Sequence, residues 1–422
     1  MFAKLKKDQF LKNNIIFFAG SMLTAFFSYL FYPVLARLMT LPDFGETQAL
    51  ISLSAQFGVF FGGLSLISIT ILANVEDLRR RSMLIGIIQK LTLMCSFALF
   101  LFIVIFSERI ESFFQFSSYL PFIVMAFLLP CGVILTIRSA ILQAKNDFKS
   151  TTFVGLIGVI SRILFAAFFV YMGWRSFGAV VGLAIAQLLS LAYVFYKTHR
   201  DIDASPTWLE ILSTHWPSIK SGLKYVFFVF AGLGLMTFFY AGDILVIKHF
   251  FSPVEAGLYS GISTVAKIIY FATGSVSAVL LPNVKLGNPV EANRRYLLKS
   301  ILIVCLIGGT GMVFFSIFPE FVIKILMGGR YLVKVGLLVK LSMAMFLISL
   351  INVFLYYFLA LRRYFFIIAL ALGVAVELTL SYFYHSDPDA IVNGFLGGAV
   401  SIFLIIGIGY IVRFLHIKTL GP

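Results

Sequence analysis

The chain has 422 residues, of which 60% are hydrophobic and only 12% charged, yet its formal net charge is +15. The charges gather in short clusters between long runs of Phe, Leu, Ile and Val, at a mean hydropathy of +1.01, and no water-soluble domain has that composition. The positive balance does not mark a nucleic-acid-binding protein either: no contiguous basic segment could hold a duplex, and most Lys and Arg fall in short loops, where they orient a membrane protein beside anionic headgroups.

A helix needs about 20 apolar residues to cross the hydrocarbon core. On that measure spans are predicted near 14–36, 45–73, 84–106, 120–142, 152–172, 177–196, 224–247, 256–281, 299–318, 332–360, 364–384 and 390–412. The fold class is therefore an all-α polytopic membrane protein of about twelve transmembrane helices, with the weakest boundary between the fifth and sixth spans at 173–176. The first span has a basic flank like that of a signal peptide, but it runs past Pro33 without a small-residue cleavage site and reads as a retained helix. Lys4, Lys6, Lys7 and Lys12, then Arg79 to Arg81, Lys145 with Lys149, and Arg362 with Arg363 mark alternate loops as basic. That pattern places both termini in the cytoplasm.

The longest polar connection, 197–223, contains SPTWLEIL, which opens like a helix with Ser205 as cap and Pro206 at the first position. Trp208 and Trp216 suit an interfacial seat. It divides the chain into an N-terminal bundle of six helices (1–198), a cytoplasmic linker (199–222) and a C-terminal bundle of six (223–422). LPDFGETQALISL at 41–53 recurs loosely as SPVEAGLYSGISTV at 252–265. Six spans precede the linker and six follow it, so the repeat is parallel, about an axis along the membrane normal. The expected architecture is two six-helix bundles around a central cavity.

Five cations, Lys90, Arg138, Arg162, Lys267 and Lys340, lie inside predicted spans. A cation at mid-bilayer costs roughly 2.5–3.5 kcal/mol even on lenient insertion scales, so it is expected to face a protein interior or an aqueous cavity. At roughly 1.5 Å per residue, Arg162, Lys267 and Lys340 fall near mid-depth, while Lys90 and Arg138 lie nearer the cytoplasmic face, where snorkelling or anchoring of a helix end competes with a cavity role. Such a ladder suits an anion whose oxygens accept charge-assisted bonds, bidentate from arginine. Glu377, in the eleventh span, is the expected buried partner, with Asp243 in the seventh. Either acid could instead exchange a proton or sodium ion as the site alternates. Arg37 and Glu46, at the end of the first span and the start of the second, are candidates for a gate, with helix-end anchoring as the alternative for Arg37. Gln48, Gln56, Gln89, Gln187, Asn352 and Asn393 add hydrogen-bonding capacity at membrane depth, to a ligand or between helices. Gly58 with Gly62, and Gly178 with Gly182, have the spacing of close helix packing. Cys95, Cys131 and Cys305 give neither a disulfide framework nor metal-ligand spacing. HSDPD at 385–389 reads as a solvated turn.

KNNIIFFAGSMLTAFFSYLFYPVLARLMTLPDFG at 12–45 and YAGDILVIKHFFSPVEAGLYS at 240–260, with the length and the twelve spans in two halves, resemble polysaccharide-export flippases of the O-antigen (Wzx) type. Those belong to the MATE-like multidrug, oligosaccharidyl-lipid and polysaccharide exporter superfamily. The resemblance covers essentially the whole chain, is strongest over 243–260, and lacks two helices found in the lipid II flippases of the same superfamily. It implies translocation of a sugar repeat unit, linked through pyrophosphate to a polyprenol, from the inner to the outer leaflet of a bacterial inner membrane. It also implies a polysaccharide polymerase and a chain-length regulator as partners.

Three function classes compete. A lipid-linked oligosaccharide flippase needs central cations and no catalytic constellation; its only cofactor-like requirement is a proton or sodium gradient. A multidrug exporter of the same superfamily handles mainly cationic drugs, which a basic cavity would repel. A membrane polymerase needs a sizeable outer loop bearing catalytic groups, and the outer loops here are short, so the chain is not expected to be an enzyme.

Overall fold

The computed structural model describes residues 9–74, 77–145, 147–199 and 217–419. It divides into two compact units, 1–220 and 221–422. The helix expected at Ser205 to Leu212 lies outside the described residues.

In unit 1 the helices are α1 (Gln9–Leu38), α2 (Leu41–Asn74), α3 (Leu78–Ile105), the short α4 (Ser107–Phe113), α5 (Leu120–Ala144), α6 (Phe148–Phe169) and α7 (Arg175–Thr198). Unit 2 holds α8 (Pro217–Ala241), α9 (Asp243–Phe250), α10 (Pro253–Asn283), α11 (Val290–Ile317), the short α12 (Pro319–Leu326), α13 (Leu337–Ala360), α14 (Phe365–Phe383) and α15 (Pro388–Thr419). Ten segments are long and apolar enough to cross a membrane, and a bent pair, Phe227–Ala241 with Asp243–Phe250, makes an eleventh. One of the ten, Phe148–Thr198, contains both α6 and α7, so twelve long helices are present among the described residues.

The turn between α6 and α7 is a five-residue π-helical segment, Val170–Trp174, with Gly173 at φ +89° and Arg175 at φ +50°. Two left-handed residues reverse the chain without a polar loop, which is why hydropathy alone marks the break so weakly. The hairpin then closes tightly: a Cβ at Gly182 would lie 2.3 Å from the Ala166 backbone nitrogen, so only glycine permits the approach of α7 to α6.

The fourth span of each unit is its hub. α5 packs against α2, α3 and α7, while α13 packs against α10, α11 and α15. Leu341, Ala344, Met345, Ile348, Ile351 and Leu355 of α13 are wholly buried. Large apolar side chains on the outlying helices point outward instead, among them Phe97, Phe102, Leu302, Leu306 and Ile408, the inverse of a soluble protein's surface and the arrangement lipid requires.

The recurrent segments at 41–53 and 252–265 each open a helix with the same device. Thr40 Oγ1 accepts from the Asp43 backbone N–H and donates to the Asp43 carboxylate. Ser252 likewise accepts from the Glu255 N–H and donates to its carboxylate. Each supplies one half of a capping box, the hydroxyl before the helix accepting from the N–H three residues on, with the acid there bonded to the hydroxyl itself. The Pro-acid-Gly likeness is thus in part the signature of two similarly capped helix starts.

Candidate functional site

Three buried charged residues of unit 2, Asp243, Lys267 and Glu377, lie together where the seventh span breaks. α8 and α9 meet at Gly242 with a bend of 50°, and Asp243, the first residue of α9, is completely buried. Its Oδ1 lies 2.8 Å from Lys267 Nζ. The other oxygen accepts from Tyr259 Oη at 3.1 Å and from Ser263 Oγ. Tyr259, Ser263 and Lys267 are spaced by four along α10, so one face of a single helix presents all three donors to one carboxylate. Tyr259 and Ser263 were not among the expected site residues. The signal for them was the four-residue spacing leading to Lys267.

Glu377 on α14 is also buried, and neither carboxyl oxygen has a hydrogen-bond partner among the described residues. It sits within electrostatic range of Asp243 and Lys267. The expected pairing is therefore corrected: the acid on Lys267 is Asp243, and Glu377 stands beside that pair without bonding to it.

Lys340 is corrected in both depth and partner. The segment before α13 forms a 3-10 turn, Gly329–Lys334, so Lys340 lies in the first turn of a helix that begins only at Leu337, not at mid-span. Its Nζ pairs with Asp389, half-exposed on both sides. Asp389 belongs to the HSDPD segment read as a solvated turn. Asp387, two residues before it, caps α15 by accepting from the Ala390 N–H at 2.7 Å.

In unit 1 the two arginines part company. Arg138 Nη1 donates to the Thr198 carbonyl and hydroxyl, both at 3.0 Å, and its guanidinium stacks 3.8 Å from the Phe195 ring centroid. A cation on the last turn of α7 satisfies carbonyls that the helix leaves open and opposes the negative end of its dipole, so Arg138 is a helix-end anchor. Arg162, about two turns before the end of α6, donates from Nη2 to the Ser28 carbonyl of α1 at 3.0 Å and lies 4.6 Å from the Phe31 ring centroid. Its Nε is buried without a hydrogen-bond partner, and no carboxylate of the described residues pairs with it.

Arg162 also lines an open, largely apolar cavity of about 460 Å³ in unit 1, whose other lining residues include Thr24, Ser65, Thr136, Ser139 and Ser190. None of the lining residues is acidic. Gly62 lies on this wall with open space where a Cβ would be, and Gly58 is equally open, so this glycine pair, unlike Gly178 and Gly182, does not serve close packing. Lys90, part-buried on α3, is not among the lining residues.

Glu46 is engaged elsewhere than in a gate with Arg37. Buried at the start of α2, it accepts from the Ser117 N–H at 2.7 Å, from the Ser117 hydroxyl at 3.1 Å and from the Ser176 hydroxyl at 2.6 Å. Arg37 donates to the Pro33 carbonyl one turn back along α1. Of the amides, Gln187 donates to the Leu128 carbonyl and Asn352 to Ser277, each joining two helices, whereas the Nε2 groups of Gln48 and Gln56 are buried without a hydrogen-bond partner among the described residues. Among the described residues no three His, Cys, Asp or Glu groups are arranged to hold a metal ion.

Residues 34–336 match the model of a family described as polysaccharide biosynthesis protein. No curated protein matches the chain. Among solved structures, the lipid II flippase MurJ in an inward closed conformation is similar over 94% of this chain and 87% of its own, at 14% identity and a TM-score of 0.74. An inward-facing MATE-family multidrug resistance transporter of the MOP superfamily is similar over 96% of this chain and 98% of its own, at 13% identity and a TM-score of 0.70. The MATE multidrug transporter DinF-BH is similar over 93% of each chain at 12% identity, with a TM-score of 0.67. At these identities the likeness is one of fold: a two-unit, all-helical membrane transporter architecture.

Proposed function

Because the chain belongs to the polysaccharide biosynthesis protein family, we propose that it is a flippase for polyprenyl-pyrophosphate-linked oligosaccharides. It carries the repeat unit of an O-antigen or other surface polysaccharide from the cytoplasmic to the outer leaflet of a bacterial inner membrane by alternating access. Both termini lie in the cytoplasm in this reading, and a polymerase with its chain-length regulator consumes the delivered unit. The observation that carries it is Arg162, a part-buried cation within a helical bundle that pairs with no carboxylate of the described residues and faces a largely apolar cavity with no acid among its lining residues. A buried cation without a counter-ion is costly unless an anion visits it, and pyrophosphate supplies oxygens that a guanidinium binds in pairs. Cationic drugs, the cargo of the alternative exporter class, would be repelled there. Lys267 and Lys340, with carboxylate partners of their own, contribute less to anion capture than Arg162.

The test is to delete the gene in its host and assign the leaflet that holds the lipid-linked intermediates. Completed repeat units are expected to accumulate at the cytoplasmic leaflet and to clear when the intact chain is restored. Units that cross normally but remain unpolymerised would instead make the chain a polymerase.

Energy coupling to a proton or sodium gradient is assigned in this reading to Glu377 and Asp243. A carboxyl group desolvated among helices, with both oxygens unsatisfied, gains most from exchanging a cation as its surroundings open and close. Glu377→Gln is expected to uncouple transport from the gradient. Undiminished, gradient-dependent transport in Glu377→Gln and in Asp243→Asn across a range of pH would remove both from that role.

A further inference from the structure

Each unit carries a short helix at the same place, between its third and fourth spans: α4 in unit 1 and α12 in unit 2. Both follow a helix of 28 residues, about 42 Å long at roughly 1.5 Å per residue, which already exceeds the hydrocarbon core of roughly 30 Å. The next residues therefore start at headgroup level. The handover is alike in both units. Phe106 and Phe318 leave helical geometry, and each ring packs on one a turn earlier, Phe102 at 4.7 Å between centroids and Phe314 at 5.5 Å. Phe102, Phe106 and Glu108 recur as Phe314, Phe318 and Glu320 at one constant offset, the same that relates Gly45 to Gly257.

The surface of α12 divides three ways. Val322 and Ile323 are buried against the unit. Glu320 and Lys324, four apart, share an exposed charged edge. Phe318, Phe321 and Ile325, spaced by three and four, form an apolar stripe in which each residue is at least half exposed. The roll of the helix is fixed from behind, since Tyr331, in the turn that follows, is wholly buried with its ring against Gly261 of α10. α4 has the same three sectors: Ser107 is buried, Glu108 and Ser112 are exposed, and Phe113 is exposed at the end of a stripe with Phe106 and Ile110. The loop after it is held by the bonds of Ser117 to Glu46. The stripe of α12 runs on from Val313, Phe314 and Ile317 at the end of α11, which are exposed on the lipid side of that span. A helix with an apolar edge beside a charged one is the form that lies in a membrane interface.

We infer that α4 and α12 are in-plane interfacial helices, each seated in the headgroup layer with its phenylalanines among the upper acyl chains, so that both units are held at a fixed depth by the same device. In the topology proposed above this is the outer leaflet; the choice of leaflet rests on that reading and the seat does not. Glu320 stands against Lys324 and Glu108 against Arg109, so the partner is the apolar layer itself and not an anionic headgroup.

The test places single tryptophans in the full chain, in phosphatidylcholine vesicles, and reads their emission as a difference from the unmodified chain. Phe321→Trp and Phe113→Trp are expected to be quenched about threefold or more strongly by lipids brominated high on the acyl chain than by aqueous acrylamide. Glu320→Trp and Glu108→Trp, one sector away, are expected to show the reverse, and adding phosphatidylglycerol leaves both readings as they are. Acrylamide quenching of Phe321→Trp as strong as that of Glu320→Trp would overturn the seat and give the stripe to a protein partner absent from the vesicles. Quenching by neither agent, with the chain cross-linking to a second copy, would give it to that copy. A seat that requires phosphatidylglycerol would overturn its apolar basis, and a lipid signal in one unit only would overturn the pairing. None of these readings involves flipping, so the seat and the flippase reading stand or fall separately.

Discussion

Replacing Arg162 by glutamine is expected to lower flipping ten- to a hundredfold while leaving the protein inserted and at least as stable as before. A hydrogen bond to a charged group contributes about 1.5–3 kcal/mol, and each 1.4 kcal/mol is a factor of ten. Stability moves the other way, because a buried cation with no carboxylate partner is a liability to the resting fold, and removing such a charge is often neutral or stabilising. The amide of the substituted side chain could still donate to the Ser28 carbonyl. Arg162→Lys restores the charge but neither the planar fork nor the stack on Phe31, so only partial recovery is expected. The check is the leaflet distribution of lipid-linked intermediates alongside the thermal unfolding of purified protein. Wild-type transport in Arg162→Gln would sink the assignment of this residue to the substrate.

The second large effect is on stability and belongs to unit 2. Lys267→Met strips the ammonium from an Asp243 that is completely buried, and breaking a buried pair in this way costs about 3–5 kcal/mol. For a unit of this size, at about 2–4 °C per kcal/mol, the midpoint of unfolding is expected to fall by roughly 10 °C. The double change Asp243→Leu with Lys267→Met removes both charges and recovers most of the loss. Lys340→Met, which breaks a half-exposed pair, is expected to cost under about 1 kcal/mol. Comparable shifts for Lys267→Met and Lys340→Met would show that burial does not rank these pairs.

That ranking could not be read from the sequence. Hydropathy places the twelve spans because lipid demands an unbroken apolar run, and the observed helices overlay the predicted ones from the first to the last. What it misses are interruptions whose residues are themselves apolar, such as the break after Ala241, or polar but short, such as the turn that moves Lys340 to a helix end. Partners are harder still. Asp243 and Lys267 lie on different helices, and nothing in the spacing between them distinguishes Asp243 from Glu377 as the acid that pairs. The donors on α10 were legible in principle, since positions 259, 263 and 267 share one helical face; the carboxylate they point to was not. The anchoring of Arg138 required knowing that the end of α7 passes α5. Gly62 has the spacing of a packing glycine and lines a cavity instead, because spacing records which face a residue occupies and not what stands opposite it.

The three bonds made by Glu46 bear on how unit 1 can change shape. One carboxylate joins positions 46, 117 and 176, three stations far apart along the chain, and sliding any of them past the others leaves a buried anion short of donors. That end of the unit is therefore a rigid node, and the levers attached to it bend elsewhere. The available joints are the prolines inside α1 and α5, Pro33 and Pro130, where the backbone ladder already lacks a rung. In the flippase reading, a transport stroke of this unit would pivot about that fixed end and flex at the two prolines, as a hand tool does about its rivet.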